Sequence, residues 1–166
     1  MIKLYLDMDG TLAEWRSASS EDDLLTPGYF ASLNPQWNVV MGVERFCLMH
    51  PEVEPIVLSC VLPGTAADEK REWIKKYAPF IEKCIFVSSS REKAEHVNPD
   101  EINILLDDHT PNLQEFVKQK NNYAIKLINP INGKNGCWQG PRISYELEVG
   151  SFANQLEALI FGVIGR

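Results

Sequence analysis

Five short apolar runs rich in β-forming residues alternate along the chain with amphipathic stretches. This alternation restricts the fold more than any other feature of the sequence. The runs are Ile2–Leu6, Ile56–Val61, Cys84–Val87, Ile102–Leu106 and Tyr123–Ile128. They are nearly continuous in apolar residues, as expected for strands covered on both faces. Between them lie helical patterns. Val39–Met49 carries Val40, Val43, Phe46 and Cys47 at helical spacing. Ala66–Tyr77 sets Trp73, Ile74 and Tyr77 on one side against a charged face, and Asn112–Gln119 carries Leu113, Phe116 and Val117. A last helix opens at Ser151, with Phe152, Leu156, Leu159, Ile160 and Val163 as its buried stripe. Strands alternating with helices imply βαβ units and a parallel sheet. The expected class is therefore α/β, a Rossmann-like three-layer sandwich around a central parallel sheet.

The 166 residues suit one domain, 1–166, large enough for a core without disulfide or metal staples. Two stretches depart from the alternation. Ala18–Pro35 is loop-like, and Asn129–Tyr145 is rich in Asn, Gly and Pro around Trp138, reading as a long loop or irregular hairpin. Long loops in compact domains are often functional.

Charge narrows the partners. Lys and Arg number 16 against 23 Asp and Glu, a net charge of −7. Such a chain has no general attraction for long polynucleotides or anionic membranes, but it can hold a small phosphorylated molecule through local donors or a metal ion. The most apolar segment, Leu156–Ile164, is far short of the roughly 20 residues that span a bilayer. Ile2–Leu6 is too short for a signal-peptide core. Cys47, Cys60, Cys84 and Cys137 form no CxxC or zinc-like spacing. They are expected to be reduced thiols in a cytoplasmic protein.

The chemistry concentrates at strand ends. Asp7 and Asp9 follow the first run, and Asp107 and Asp108 end the fourth. In an open α/β sheet, ligands bind outside the carboxyl ends of the strands. Two carboxylate pairs gathered there repel one another unless protons or a cation compensate. A hard divalent cation such as Mg²⁺ suits oxygen ligands of this kind. Taken alone, a DxDG is equally a turn or a helix cap. Ser59, near the end of the second run, is either a turn former or a phosphate-binding hydroxyl. Lys93, after the third, is either a solvated surface residue or part of the same site.

The ordered set Asp7-Met8-Asp9-Gly10-Thr11-Leu12, Ser59, Lys93 and Asp107-Asp108 resembles the four motifs of the haloacid dehalogenase-like (HAD) phosphohydrolase superfamily, over about residues 1–128. A narrower resemblance is to the 5'(3')-deoxyribonucleotidase family. It rests on Asp7 through Trp15, on Pro27-Gly28-Tyr29-Phe30, on Leu33-Asn34-Pro35, and on Leu105-Leu106-Asp107-Asp108-His109 with Pro111. The insert around residues 15–35 is shorter than that family's helical cap, Ser59 replaces a Thr, and His109 stands where Arg is frequent. The cap is thus expected to be reduced, and the 129–145 loop, through Trp138 or Arg142, to supply what it lacks. A second copy of the chain is another way to complete so open a site.

The resemblance implies a Mg²⁺-dependent phosphomonoesterase acting on a (deoxy)nucleoside monophosphate or another small phosphomonoester. It implies Asp7 as nucleophile, Asp9 as general acid and then base, and Lys93 as the charge-neutralising catalytic cation. It implies Gly10, Thr11, Trp15, Ser59 and Cys60 as phosphate- and substrate-binding residues, with Trp15 stacking on the base unless it is core. Asp7, Asp108 and the carbonyl of Asp9 are implied as metal ligands, with Asp107 orienting Lys93 or a metal-bound water. A non-catalytic module with this fold would be expected to lack Asp7, Asp9 or Lys93, and all three are present.

Overall fold

Ile2–Leu6 forms the first strand, β1, and lies inside the sheet because four of its five side chains are apolar and both faces are covered. Ile2, Leu4 and Leu6 point to one side and Tyr5 to the other, all of them buried. The computed structural model describes residues 1–15, 21–132 and 137–165. After β1 come a four-residue helix α1 (Glu21–Leu24), a 3₁₀ turn (Phe30–Ser32), α2 (Trp37–Met49), β2 (Val53–Cys60), α3 (Ala66–Tyr77) and β3 (Lys83–Val87). A second 3₁₀ segment (Ser90–His96), β4 (Ile102–Asp107), α4 (Thr110–Phe116), β5 (Asn122–Ile128), β6 (Arg142–Ser144) and α5 (Val149–Val163) complete the chain.

The sheet has the order β3-β2-β1-β4-β5-β6, and every adjacent pair is parallel. Its strand order reverses between β1 and β4. At such a switch point the connecting segments leave in opposite directions and open a crevice above the strand ends. The acidic ends of β1 and β4 both face that crevice.

Two apolar layers clamp the sheet. On one side Leu4, Leu6, Val57, Ile104 and Leu106 meet Val43 and Phe46 of α2, Trp73 of α3, and Phe152, Leu156 and Ile160 of α5. Burying each such side chain stabilises the fold by about 1.5–3 kcal/mol. On the other side Tyr5, Leu58 and Leu105 pack on Leu113 and Phe116 of α4 and on Ala94 and Val97. Helices α2 and α5 come close because position 42 is glycine. A Cβ there would lie 2.6 Å from the Phe152 ring.

The α/β class, the parallel sheet and the five expected strands are all present. The differences lie at element ends and in the loops. α4 begins at Thr110 rather than Asn112, since Pro111 fits the first helical turn, where no intrahelical N–H is needed. In the final stripe Phe152, Leu156 and Ile160 are buried, whereas Leu159 and Val163 are half-buried.

The 129–145 segment is not simply a loop. It holds β6, which pairs with β5 from Lys126↔Arg142 to Ile128↔Ser144. Trp138 does not reach the crevice: it is buried in the second core layer and donates from Nε1 to Pro141 O at 2.9 Å. The Arg142 guanidinium donates to the Trp138 carbonyl. Residues 16–20 of the expected cap insert and 133–136 of this segment lie outside the described residues. Among the described residues, no helix is long and apolar enough to cross a membrane.

Candidate active site

The end of β1 turns sharply. Thr11 and Ala13 both donate their N–H to the carbonyl of Met8, and Gly10 N–H donates to Ala13 O at 2.9 Å. Gly10 holds a φ of +79°, and a Cβ at that position would sit 2.6 Å from Asp108 Oδ2. Only glycine meets both demands. The turn therefore brings the β1 end against the β4 end, and four carboxylates converge.

Lys93 lies between two of them. Its Nζ donates to Asp7 Oδ1 at 2.7 Å and to Asp107 Oδ2 at 2.6 Å, and the side chain is 1% exposed. Asp107 is saturated by protein donors. Its Oδ1 accepts His109 N–H at 2.7 Å, and its Oδ2 also accepts Asn112 Nδ2 at 2.9 Å. Asp108 Oδ2 accepts Asn129 Nδ2 at 2.9 Å, while its backbone carbonyl accepts Asn132 Nδ2 at 3.1 Å. Asn129 Nδ2 donates also to Gly10 O at 2.8 Å, so one buried amide joins both motif loops.

Asp9 is paired separately. Lys70, on α3 and fully buried, donates to Asp9 Oδ2, to Ser59 Oγ at 3.1 Å and to Cys60 O at 2.8 Å. The Phe30 ring covers its ammonium with the centroid 4.6 Å away. The neighbouring Glu69 carboxylate accepts N–H groups from Gly28 at 2.8 Å and Phe30 at 3.0 Å, together with the Thr65 hydroxyl at 2.6 Å. One turn of α3 thus anchors both Asp9 and the segment that lies over it. Asp9 Oδ1 is buried and has no hydrogen-bond partner among the described residues.

The electrostatics follow from this crowding. Burial raises the Asp7 pKa to about 6; Lys93 opposes the rise, and Asp107 and Asp9 add to it. Burial raises Asp108 to about 7, with Asp107 and Asp7 adding to the rise. Burial works against the charge of Lys93, but Asp107 and Asp7 outweigh it, and its pKa is raised. A site that holds carboxylates back from ionising is short of positive charge. Asp7, Asp107 and Asp108 each offer an oxygen within 4.8 Å of the others. Asp107 is committed to protein donors, and among the described residues no side-chain hydrogen bond engages Asp7 Oδ2 or Asp108 Oδ1, which leaves Asp7 and Asp108 able to reach a cation. This donor set fits a hard divalent cation.

A cleft of about 400 Å³ opens over this cluster, lined by Asp7, Asp9, Cys60, Lys93, Asp108 and Trp15 among others. Trp15 is 37% exposed, which removes the core alternative for it. Ser59 is buried beneath Lys70. Thr11 is fully buried, and its Oγ1 has no partner among the described residues. Neither side chain is in the cleft wall. His109 is in that wall, its Nδ1 3.2 Å from Asn112 Oδ1.

Sequence reasoning missed Lys70, Asn112, Asn129 and Asn132. A signal for Lys70 was present: it shares the inward stripe of α3 with Ala66, Trp73 and Ile74, at spacings of four, three and four residues. A lysine on an apolar stripe demands a buried partner. The asparagines carried no such signal, since Asn in a loop is ordinarily a turn residue.

No family model matches the sequence, and no curated protein matches it. Among solved structures, the chain is similar to one described as D,D-heptose 1,7-bisphosphate phosphatase from Burkholderia thailandensis, with a TM-score of 0.64 and 12% identity, covering 95% of this chain and 99% of that one. At that identity the likeness establishes the fold, and this chain is an α/β protein with the Rossmann-like fold of that structure.

Proposed function

We propose that the protein is a Mg²⁺-dependent phosphomonoesterase of the HAD type that works through an aspartyl-phosphate and acts on (deoxy)nucleoside monophosphates. The observation that carries this reading is Lys93, buried between Asp7 and Asp107 at the floor of the cleft.

Hydrolysis of a phosphomonoester requires a nucleophile to approach an anion. Asp7 has one oxygen held by Lys93, which leaves Oδ2 to attack phosphorus as the bond to the leaving oxygen breaks. Asp9 donates a proton to that oxygen and later takes one from the water that cleaves the acyl phosphate, releasing inorganic phosphate. Lys70 holds Asp9 by Oδ2 and leaves Oδ1, which has no partner among the described residues, to carry the proton. Lys93 neutralises charge on Asp7 and on the transferring group. Asp108, the Asp9 carbonyl and Asp7, through the oxygen that Lys93 also holds, would hold the metal, which when bound would screen the phosphoryl oxygens from the carboxylates. Asp107 orients Lys93.

Trp15, exposed at the cleft wall, supports a planar leaving group, because an indole stacks on a base. The segment 21–35, tied down by Glu69, serves as a small cap. A second reading, a small sugar phosphate as substrate, draws on the similar structure, which is described as a heptose bisphosphate phosphatase.

The test is phosphate release from nucleoside 5'- and 3'-monophosphates, sugar phosphates and an aryl phosphate, with Mg²⁺ and with chelator. Mg²⁺-dependent release that is abolished in Asp7→Asn is expected. Full activity in Asp7→Asn would end the assignment. Release without any nucleotide preference would move the substrate to another class.

A further inference from the structure

A second cavity of about 300 Å³ adjoins the catalytic cleft, and Trp15 and Ile131 line both. Its remaining walls come from Glu14, Gln36, Asn129, Pro130 and Tyr145. The 129–132 segment that reaches Asp108 through Asn129 therefore also closes this second space.

The charge of the walls is one-sided. Trp15, Pro130 and Ile131 supply flat and apolar surface. The Trp15 indole N–H and the Tyr145 hydroxyl can donate, and the one formal charge in the wall is the Glu14 carboxylate. Gln36 spends its amide nitrogen on the carbonyls of Gly10 and Thr11, each at 2.9 Å, and among the described residues no hydrogen bond engages its amide oxygen. Glu14 receives Asn34 Nδ2 at 3.3 Å, and among the described residues no cation pairs with it. An unneutralised carboxylate beside an apolar wall favours a cation or a strong hydrogen-bond donor.

We propose that this cavity is a leaving-group subsite that takes the distal end of a phosphomonoester carrying an amine or another donor on an apolar body. Glu14 is its specificity-determining residue. The proposal rests on the phosphomonoesterase reading for its link to turnover, but not for the existence of the site.

The experiment compares phenyl phosphate, para-aminomethylphenyl phosphate and para-carboxyphenyl phosphate under Mg²⁺. Wild type is expected to show a KM about fivefold lower for the amine than for phenyl phosphate, the upper end of what an exposed ion pair contributes. Its KM for the carboxylate is expected to be higher than for phenyl phosphate. Glu14→Gln should remove that ranking, and Glu14→Lys should invert it. Both variants are expected to fold, because Glu14 is exposed. Equal KM values for the three esters in wild type, with turnover intact, would overturn the subsite and leave the phosphatase reading standing. If no ester is turned over, the phosphatase reading fails, and benzylamine binding decides the subsite alone. The Trp15 indole N–H in ¹⁵N-labelled protein is expected to shift on benzylamine titration in wild type and not in Glu14→Lys. An unmoved wild-type signal, or equal shifts in both proteins, would refute the site.

Discussion

Lys93 Nζ stands 2.7 Å from Asp7 and 2.6 Å from Asp107, so one buried ammonium serves two buried carboxylates. The three charges sum to −1 before Asp108 is counted, and no other lysine or arginine among the described residues ion-pairs with Asp7, Asp107 or Asp108. The site is held together by one cation and is still acidic. That imbalance is what a divalent ion would correct.

Removing Lys93 should therefore do more than abolish turnover. Lys93→Met leaves two buried carboxylates uncompensated, a change that typically costs about 3–5 kcal/mol. Urea denaturation is expected to show a loss of that order, partly recovered by Mg²⁺. Lys93→Arg should not restore activity, since a planar guanidinium cannot occupy the space of a compact ammonium between two fixed carboxylates.

Lys70 should matter most where the leaving group is poor. It holds Asp9, which supplies the proton to the departing oxygen in the proposed reaction. In Lys70→Met, kcat/KM for an alkyl phosphate is expected to fall by about 10²–10⁴, the usual worth of general acid–base catalysis. For para-nitrophenyl phosphate, whose leaving group needs little protonation, the fall should be much smaller. Equal losses on both substrates would mean that Lys70 acts only on structure.

Asn129 should set metal affinity. Its amide positions Asp108 Oδ2 and the Gly10 carbonyl at once. Losing a side chain that orients a ligand typically weakens metal binding about 10–100-fold. Calorimetric titration of Asn129→Ala with Mg²⁺, without substrate, is expected to show a loss in that range. An unchanged affinity would remove Asn129 from the positioning set.

The raised carboxylates give the metal-free protein a particular pH dependence. A folded-state pKa raised above its unfolded value contributes stability that is complete below the unfolded pKa and is lost as pH rises through the folded one. For Asp7, raised to about 6, and Asp108, raised to about 7, the contribution declines as pH rises from the ordinary aspartate range of about 4 towards 7. Lys93, also raised, keeps its contribution throughout that window. Tm in chelator is expected to carry a falling component between pH 4 and 7, and the increment in Tm from added Mg²⁺ should grow over the same interval. An increment independent of pH would argue against the cation sitting on these carboxylates.

The strands and the candidate site were largely legible because their signals are local. The run Ile2–Leu6 is apolar at four of its five positions, so it had to be covered on two faces, and an acidic turn after it had to sit at the carboxyl end of the sheet. Ser59, Lys93 and Asp108 could be assigned to the same end by the same logic. β6 escaped that logic. It is three residues long, too short for periodicity, and exists only because β5 offers a free edge. Trp138 escaped it too. An aromatic in an Asn- and Gly-rich segment reads as a site residue until the packing around Leu105 and Phe116 shows an apolar layer that it completes.

What the sequence alone determined is the parallel α/β architecture and the list of carboxylates at its strand ends, because burial on two faces and the period of each element are properties of neighbouring residues. The tertiary structure alone decided which oxygen each carboxylate leaves free, which lysine pairs with which aspartate, and that Asn129 reaches across 119 positions to Gly10. Those choices depend on hydrogen bonds between segments far apart in the chain, and such bonds leave no periodic trace in either segment.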